Sequence, residues 1–266
     1  MATYLDDLLD TARERAAAVH AEGHVDELRA AAEAAAHDAQ PRRLHTALSQ
    51  PGVSVIAEVK RASPSRGELA PGVDAATQAG RYLDGGAAAI SVLTEPSCFK
   101  GELGDLVDVA ATGAVALRKD FLVDPVMVHE AVVAGASGVL LIVAALTDAQ
   151  LRAMHEEAHR LGLDVLVEVH CEDEVQRALD AGATILGVNA RDLHTFELDR
   201  DAFGRIRPQL PDGVLAVAES GVRGPADVRR ARDEGADAVL VGEFVVAAAD
   251  PTATVASLVE AGRPAA

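Results

Sequence analysis

VSVIAEVKRASPSRGELAPG, residues 53 to 72, is the stretch on which the fold turns. Its first eight residues have the short, apolar, β-branched character of a buried strand, and the Pro, Ser and Gly that follow break it into a turn-rich loop. An open, doubly wound sheet would carry a glycine-rich dinucleotide fingerprint after its first strand, and SPSRGELAPG has none. The strand instead carries a charge pair. Glu58 and Lys60, two residues apart, share one face of a period-two element. A carboxylate and an ammonium where two valines would fit lower stability unless they are paired or used.

Further along the chain the same kind of apolar run returns seven times, at residues 87–95, 114–119, 137–143, 164–170, 184–190, 214–220 and 238–242. Between the runs lie stretches of helical period such as DPVMVHEAVVAGA, TDAQLRAMHEEAHRLG and GPADVRRARDEGA, which end in the glycine expected just past a helix. Eight such βα units in about 210 residues predict an α/β chain folded as a (β/α)8 TIM barrel. Residues 1–50 precede the barrel of residues 51–266. They read as helices over 3–20 and 24–38 and a turn-prone linker, QPRRLHTALSQPG: an N-terminal helical extension that caps one end of the barrel or closes over a ligand as a lid.

Composition narrows the function. With 266 residues, 49% of them hydrophobic, the chain can bury a large core, and its formal charge of −18 argues against nucleic acid or an anionic membrane as partner. No run approaches the roughly 18 apolar residues of a membrane span, and the charged, amphipathic start is unlike a signal peptide, so the expectation is cytoplasmic. Cys98 and Cys171 lie in unrelated segments without metal-ligand spacing and are expected to be reduced thiols. The chain has 21 Arg but only three Lys, at 60, 100 and 119. Lysine is the cation whose pKa can be tuned for proton transfer.

In a barrel, side chains at the C-terminal strand ends converge on one site. Glu58 and Lys60 close the first strand, Lys119 the third, Glu168 the fifth, Asn189 and Arg191 the sixth, Glu219 and Ser220 the seventh. Phe99, Phe121, Phe196 and Phe244 fall in or near the loops on that same rim, as does Lys100, and suit an aromatic or apolar ligand face. Glycines at 221, 224 and 242, beside helix starts after strands seven and eight, suit the phosphate position frequent in this fold.

These segments, namely IAEVKRASPSRG, FKGELGDL, LRKDF, LVEVH, GVNARDL, AESGV and VGE, resemble in order those of the indole-3-glycerol phosphate synthase family of tryptophan biosynthesis. The resemblance spans the barrel and implies a carboxy-lyase that converts 1-(2-carboxyphenylamino)-1-deoxyribulose 5-phosphate into indole-3-glycerol phosphate, carbon dioxide and water, with no metal or organic cofactor. It implies Lys119 as general acid, with Lys60, Glu58 and Glu168 sharing the remaining proton transfers beside Asn189. It implies further ligand contacts from Ser63, Ser65, Phe99, Phe121, Leu140, Arg191, Leu193, Glu219 and Ser220, and a phosphate cradle from Ser63, Gly221, Gly242 and Glu243. Departures from the family's pattern fall at Ala190, Cys98 and Phe244. A monomer is the expectation, and the resemblance leaves open transient contact with other enzymes of the pathway. The rival readings are another phosphate-binding barrel, such as phosphoribosylanthranilate isomerase, commonly run by a Cys and an Asp on strands one and five, and a non-catalytic barrel.

Overall fold

In a computed structural model, which describes residues 4–38, 43–64, 66–193 and 195–264, each of the eight apolar runs becomes a strand. They are β1 (Ser54–Val59), β2 (Ala89–Leu93), β3 (Ala116–Lys119), β4 (Gly138–Ile142), β5 (Asp164–Val169), β6 (Ile185–Asn189), β7 (Leu215–Glu219) and β8 (Ala238–Val241), within two residues of the runs read from sequence. The strands close in chain order, β8 returning to β1. All pairs are parallel: Ile56 of β1 faces Leu240 of β8, and Glu58 faces Ser91 of β2. This is a (β/α)8 barrel, and closure removes the exposed strand edges an open sheet would leave.

Three helices precede the barrel: α1 (Tyr4–Ala21), α2 (Val25–Asp38) and α3 (Arg43–Leu48). Around it run α4 (Ala75–Asp84), α5 (Leu103–Ala111), α6 (Pro125–Val133), α7 (Asp148–Arg160), α8 (Glu172–Asp180), α9 (Ala202–Ile206), α10 (Pro225–Asp233), the single turn α11 (Glu243–Val246) and α12 (Pro251–Gly262). Their ends follow local chemistry. Asp124 and Asp250 accept hydrogen bonds from the first-turn N–H groups of Val126 and Ala253, and each is followed by Pro at the first helical turn. Thr147 and Gln150 form a reciprocal capping box; such caps contribute about 1 kcal/mol each. Gly135, Gly162 and Gly235, with φ of 82°, 80° and 88°, end α6, α7 and α10 in the left-handed region that glycine adopts without a Cβ clash.

The segments before β1 reach both ends of the barrel. On the C-terminal rim, Arg15 of α1 makes a two-pronged hydrogen-bonded ion pair with Asp120, at 2.9 and 2.7 Å, and His20 lies 3.2 Å from Asp124. At the opposite end, the stretch read from sequence as a linker contains α3. The backbone N–H of His45 donates to Asp164, the first residue of β5, at 2.9 Å, and Leu44 and Leu48 are fully buried. Six residues present too little period to register as a helix, and burial of those two leucines stabilises what propensity alone would not. A second unforeseen element is a two-stranded ribbon, Ala62–Ser63 against Gly67–Glu68, in the loop after β1. No helix among the described residues is long and apolar enough to cross a membrane.

Candidate active site

The C-terminal strand ends open into a cavity of about 1000 Å³. Its charged floor is assembled from alternate positions of different strands. Lys60 is ion-paired with Glu58, whose second carboxylate oxygen accepts from Ser91 at 3.3 Å. Lys119 ends β3 with its ammonium 3.2 Å from Glu168 and 3.5 Å from Glu219. Asn189 at the end of β6 donates to the other oxygen of Glu168 at 3.1 Å, while its own carbonyl oxygen accepts from the Ser220 hydroxyl and the Arg191 N–H, at 2.8 and 3.0 Å. Those two bonds fix the amide orientation. Ser220 adopts a φ of 65°, a left-handed conformation costing a non-glycine residue roughly 1 kcal/mol or more.

Three glutamates and two lysines meet here with little solvent: Glu58, Glu168 and Glu219 are 3%, 1% and 2% exposed. Charges so placed cannot all behave as they do in water. Burial opposes the Lys119 charge, but Glu168, Glu219 and Glu58 outweigh it and raise that ammonium above the usual lysine range. For Glu168 burial favours the neutral acid, yet Lys119 and His170 hold the carboxyl well below its ordinary value. Burial, with the charge of Glu168 alongside, pushes the Glu219 carboxyl up to about 8 despite Lys119. Two neighbouring carboxyls are thus driven apart, one to stay ionised and the other to hold a proton at neutral pH. That division equips a site for acid and base work.

Around this floor the cavity divides by chemistry. Phe99, Phe121, Leu140 and Leu193 supply an apolar wall, extended by Phe196 and Phe244, and the Lys60 ammonium lies 5.8 Å from the centre of the Phe99 ring. Ser63, Gly221, Gly242 and Glu243 also line it, with Arg66 and Arg191, whose side chains lie 3.5 and 4.0 Å from the Glu243 carboxylate. Of the residues singled out from sequence as site candidates, Gly224 and Lys100 are not among the residues lining this cavity and Ser65 lies outside the described residues; the others border it. Lys100 lies in the loop after β2, on the rim where the sequence placed it, exposed and outside the cavity lining, its carbonyl oxygen accepting from Arg61. Ala190 borders a small neighbouring cleft and is not among the residues lining this cavity.

Three residues of the site escaped the sequence reading. His170 lies two positions beyond Glu168, as Lys60 lies two beyond Glu58, and the same period-two signal would have found it. Gly187 of β6 leaves space for the Glu219 carboxylate; a Cβ at 187 would collide with it. Asp120, between Lys119 and Phe121, is buried and accepts hydrogen bonds from Arg15, Thr94, Arg118 and the Phe121 N–H. Only the last two signals are non-local, and no spacing in the sequence announces them.

The family model described as indole-3-glycerol phosphate synthase matches residues 5–258. Proteins named indole-3-glycerol phosphate synthase from Mycobacteroides abscessus and Mycolicibacterium smegmatis are each 52% identical to the chain, covering 98% of it and 95% of their own length. Among solved structures, thiamine phosphate pyrophosphorylase from Pyrococcus furiosus superimposes with a TM-score of 0.59 at 18% identity, over 82% of this chain and 96% of its own. An N-acetylmannosamine-6-phosphate 2-epimerase from Clostridium perfringens does so with a TM-score of 0.57 at 15% identity, over 75% of this chain and 90% of its own. At such identities these two speak to the fold alone.

Proposed function

The chain belongs to the indole-3-glycerol phosphate synthase family, and on that premise we propose how its cavity divides the work of closing the indole ring. The reaction joins the carboxyl-bearing ring carbon of 1-(2-carboxyphenylamino)-1-deoxyribulose 5-phosphate to its ketone carbon, then expels carbon dioxide and water. The substrate is an aromatic acid at one end and a phosphate ester at the other, and the cavity offers an apolar wall and a glycine-rich, arginine-bearing portion for these two ends.

Lys119 is the general acid. Its ammonium protonates the ketone oxygen as the new carbon–carbon bond forms, turning the ketone into an alcohol. Loss of carbon dioxide returns the bonding pair to the ring. Lys60 then protonates the departing hydroxyl, and Glu168, with Glu58 held against Lys60, removes the proton from the adjacent carbon that completes the indole. Asn189 orients Glu168 through the 3.1 Å bond between them. Lys60 and Arg191 attract the benzoate carboxylate. Phe121, Phe99, Leu140 and Leu193 flank the ring, Glu219 and Ser220 meet the substrate hydroxyls, and Ser63 with the backbone at Gly221, Gly242 and Glu243 takes the phosphate. Ser65 belongs to the same group by resemblance. The extension before β1 reaches the rim of the pocket through α1, where the Tyr4 ring packs edge-on against Phe196 at 4.7 Å, and from there serves as a cap.

The observation that carries this reading is the Lys119 ammonium held between two buried carboxyls of opposite protonation preference, 3.2 and 3.5 Å away. An isomerase of the preceding intermediate would be expected to use a Cys and an Asp on strands one and five, where this chain has Glu58, Lys60 and Glu168. The test is indole fluorescence on mixing enzyme with the carboxyphenylamino-deoxyribulose phosphate. Wild type should produce it, with one proton taken up per turnover because an ionised carboxyl is lost as neutral carbon dioxide. A Lys119→Ala variant should fold, bind a product analogue and turn over at least about 100-fold more slowly.

A further inference from the structure

Glu168 and Glu219 are neighbours on the same buried floor, both within reach of Lys119, yet only Glu168 is asked to act as a base. Something must decide which of the two keeps a proton. Their surroundings differ in one cation. On the side of Glu168 away from Lys119, the Nε2 of His170 lies 3.2 Å from Oε1. The Oε1 of Glu219 meets no hydrogen-bond partner among the described residues. Neither ring nitrogen of His170 has a hydrogen-bond partner among the described residues, so the ring's contacts are ionic: Glu174, in the first turn of α8, places a carboxylate oxygen 3.6 Å from Nδ1, and the same oxygen accepts from the His170 backbone N–H at 2.7 Å. Both His170 and Glu174 are largely shielded from solvent, at 12% and 15% side-chain exposure.

We propose that His170, with the Glu174 carboxylate behind it, is the positioning residue that assigns the shared proton to Glu219 and leaves Glu168 free to act as the base. It touches no reacting atom and works through Glu168, so the inference rests on the role given above to that carboxylate. The groups that face Glu168 are Lys119 from β3, Asn189 from β6, Glu219 from β7 and His170 with Glu174 behind it; Glu58 of β1 adds a further negative charge nearby. Of these, Lys119 serves both carboxyls, Asn189 is neutral, and His170 is the cation that discriminates between them. Two flanking carboxylates against the penalty of burial place the imidazole up to about 10, so it remains a cation throughout the neutral range.

The decisive experiment is the pH dependence of kcat/KM in His170→Gln, alone and combined with Glu219→Gln. Loss of the imidazolium lets Glu168 compete for the proton. The single variant should lose tenfold or more at pH 7, with KM changed less than threefold, and its acid limb should move to higher pH. Glu219→Gln removes the competing acid, so adding His170→Gln to it should cost no more than about threefold. A role limited to packing would lower activity by the same factor at every pH and in both backgrounds, and that parallel result overturns the proposal. Imidazole 15N shifts of the wild-type enzyme need no altered fold: a cationic His170 ring at pH 8 supports the assignment, and a neutral one overturns it. Should Glu168→Gln remain active, the reading of Glu168 as base fails first. If Glu168→Gln is inactive while the His170 profiles run parallel, only the present inference is lost.

Discussion

Lys60 and Glu219 pose the sharpest questions at the level of single residues. If Lys60 only attracted the benzoate, arginine would serve, since it keeps the charge and adds donors. A group that must give and recover a proton cannot be an arginine, whose pKa of roughly 12.5 to 13.8 keeps it protonated. Lys60→Arg should therefore retain binding of a product analogue while kcat falls about 100-fold or more, with Lys60→Met as the uncharged control for crowding. Near-normal turnover in the arginine variant would reduce Lys60 to an anchor. Glu219 yields a pH prediction. Its folded-state carboxyl sits at about 8, so it is neutral at pH 7 and ionises as the pH rises through that value. The new negative charge faces Glu168 and the incoming anionic substrate, so kcat/KM should decline above about pH 8. Glutamine mimics the neutral carboxyl, so Glu219→Gln should flatten that alkaline limb; a limb that persists unchanged belongs to another group.

Between elements, α1 packs against the β3–α6 connection. Arg15 reaches Asp120, whose neighbours in sequence are Lys119 and Phe121, so the first helix is tied to the backbone that presents Lys119, the proposed general acid. Asp120 retains Arg118 and Thr94 when Arg15 is removed, and its charge does not become an uncompensated buried one. Arg15→Met should accordingly leave the barrel folded, with Tm lowered by only a few degrees, but loosen the Lys119 segment and reduce kcat/KM roughly tenfold. Deleting residues 1–40, which removes α1 and α2, should raise KM further by uncovering the pocket. A truncated enzyme with unchanged KM and a lower Tm would make these helices a structural cap alone.

Across the whole molecule, the barrel assigns its two ends to different tasks. The C-terminal rim gathers the polar cluster, while α3 closes the opposite end through apolar contact. Leu44 is fully buried there, against Gly138 at the start of β4, so Leu44→Ala should cost about 2 to 5 kcal/mol in denaturant unfolding yet leave kcat within twofold. Loss of activity in proportion to stability would show the two ends to be coupled. The amino-acid order alone determined the eight strands, their helices and the polar residues that break each apolar run, because period, caps and glycine stops are local and each strand end has a fixed place in a closed barrel. Glu58, Lys60, Lys119 and Glu168 were legible for that reason. The six-residue α3 was not, since its stability comes from burial against β4 and β5. Nor were the space Gly187 leaves for Glu219, the tie from Arg15 to Asp120 across 105 residues, or the opposed protonation of Glu168 and Glu219. Those depend on distances of a few ångströms between residues far apart in the chain, and on the burial that makes each charge sensitive to its neighbours, both of which exist only once the barrel has closed.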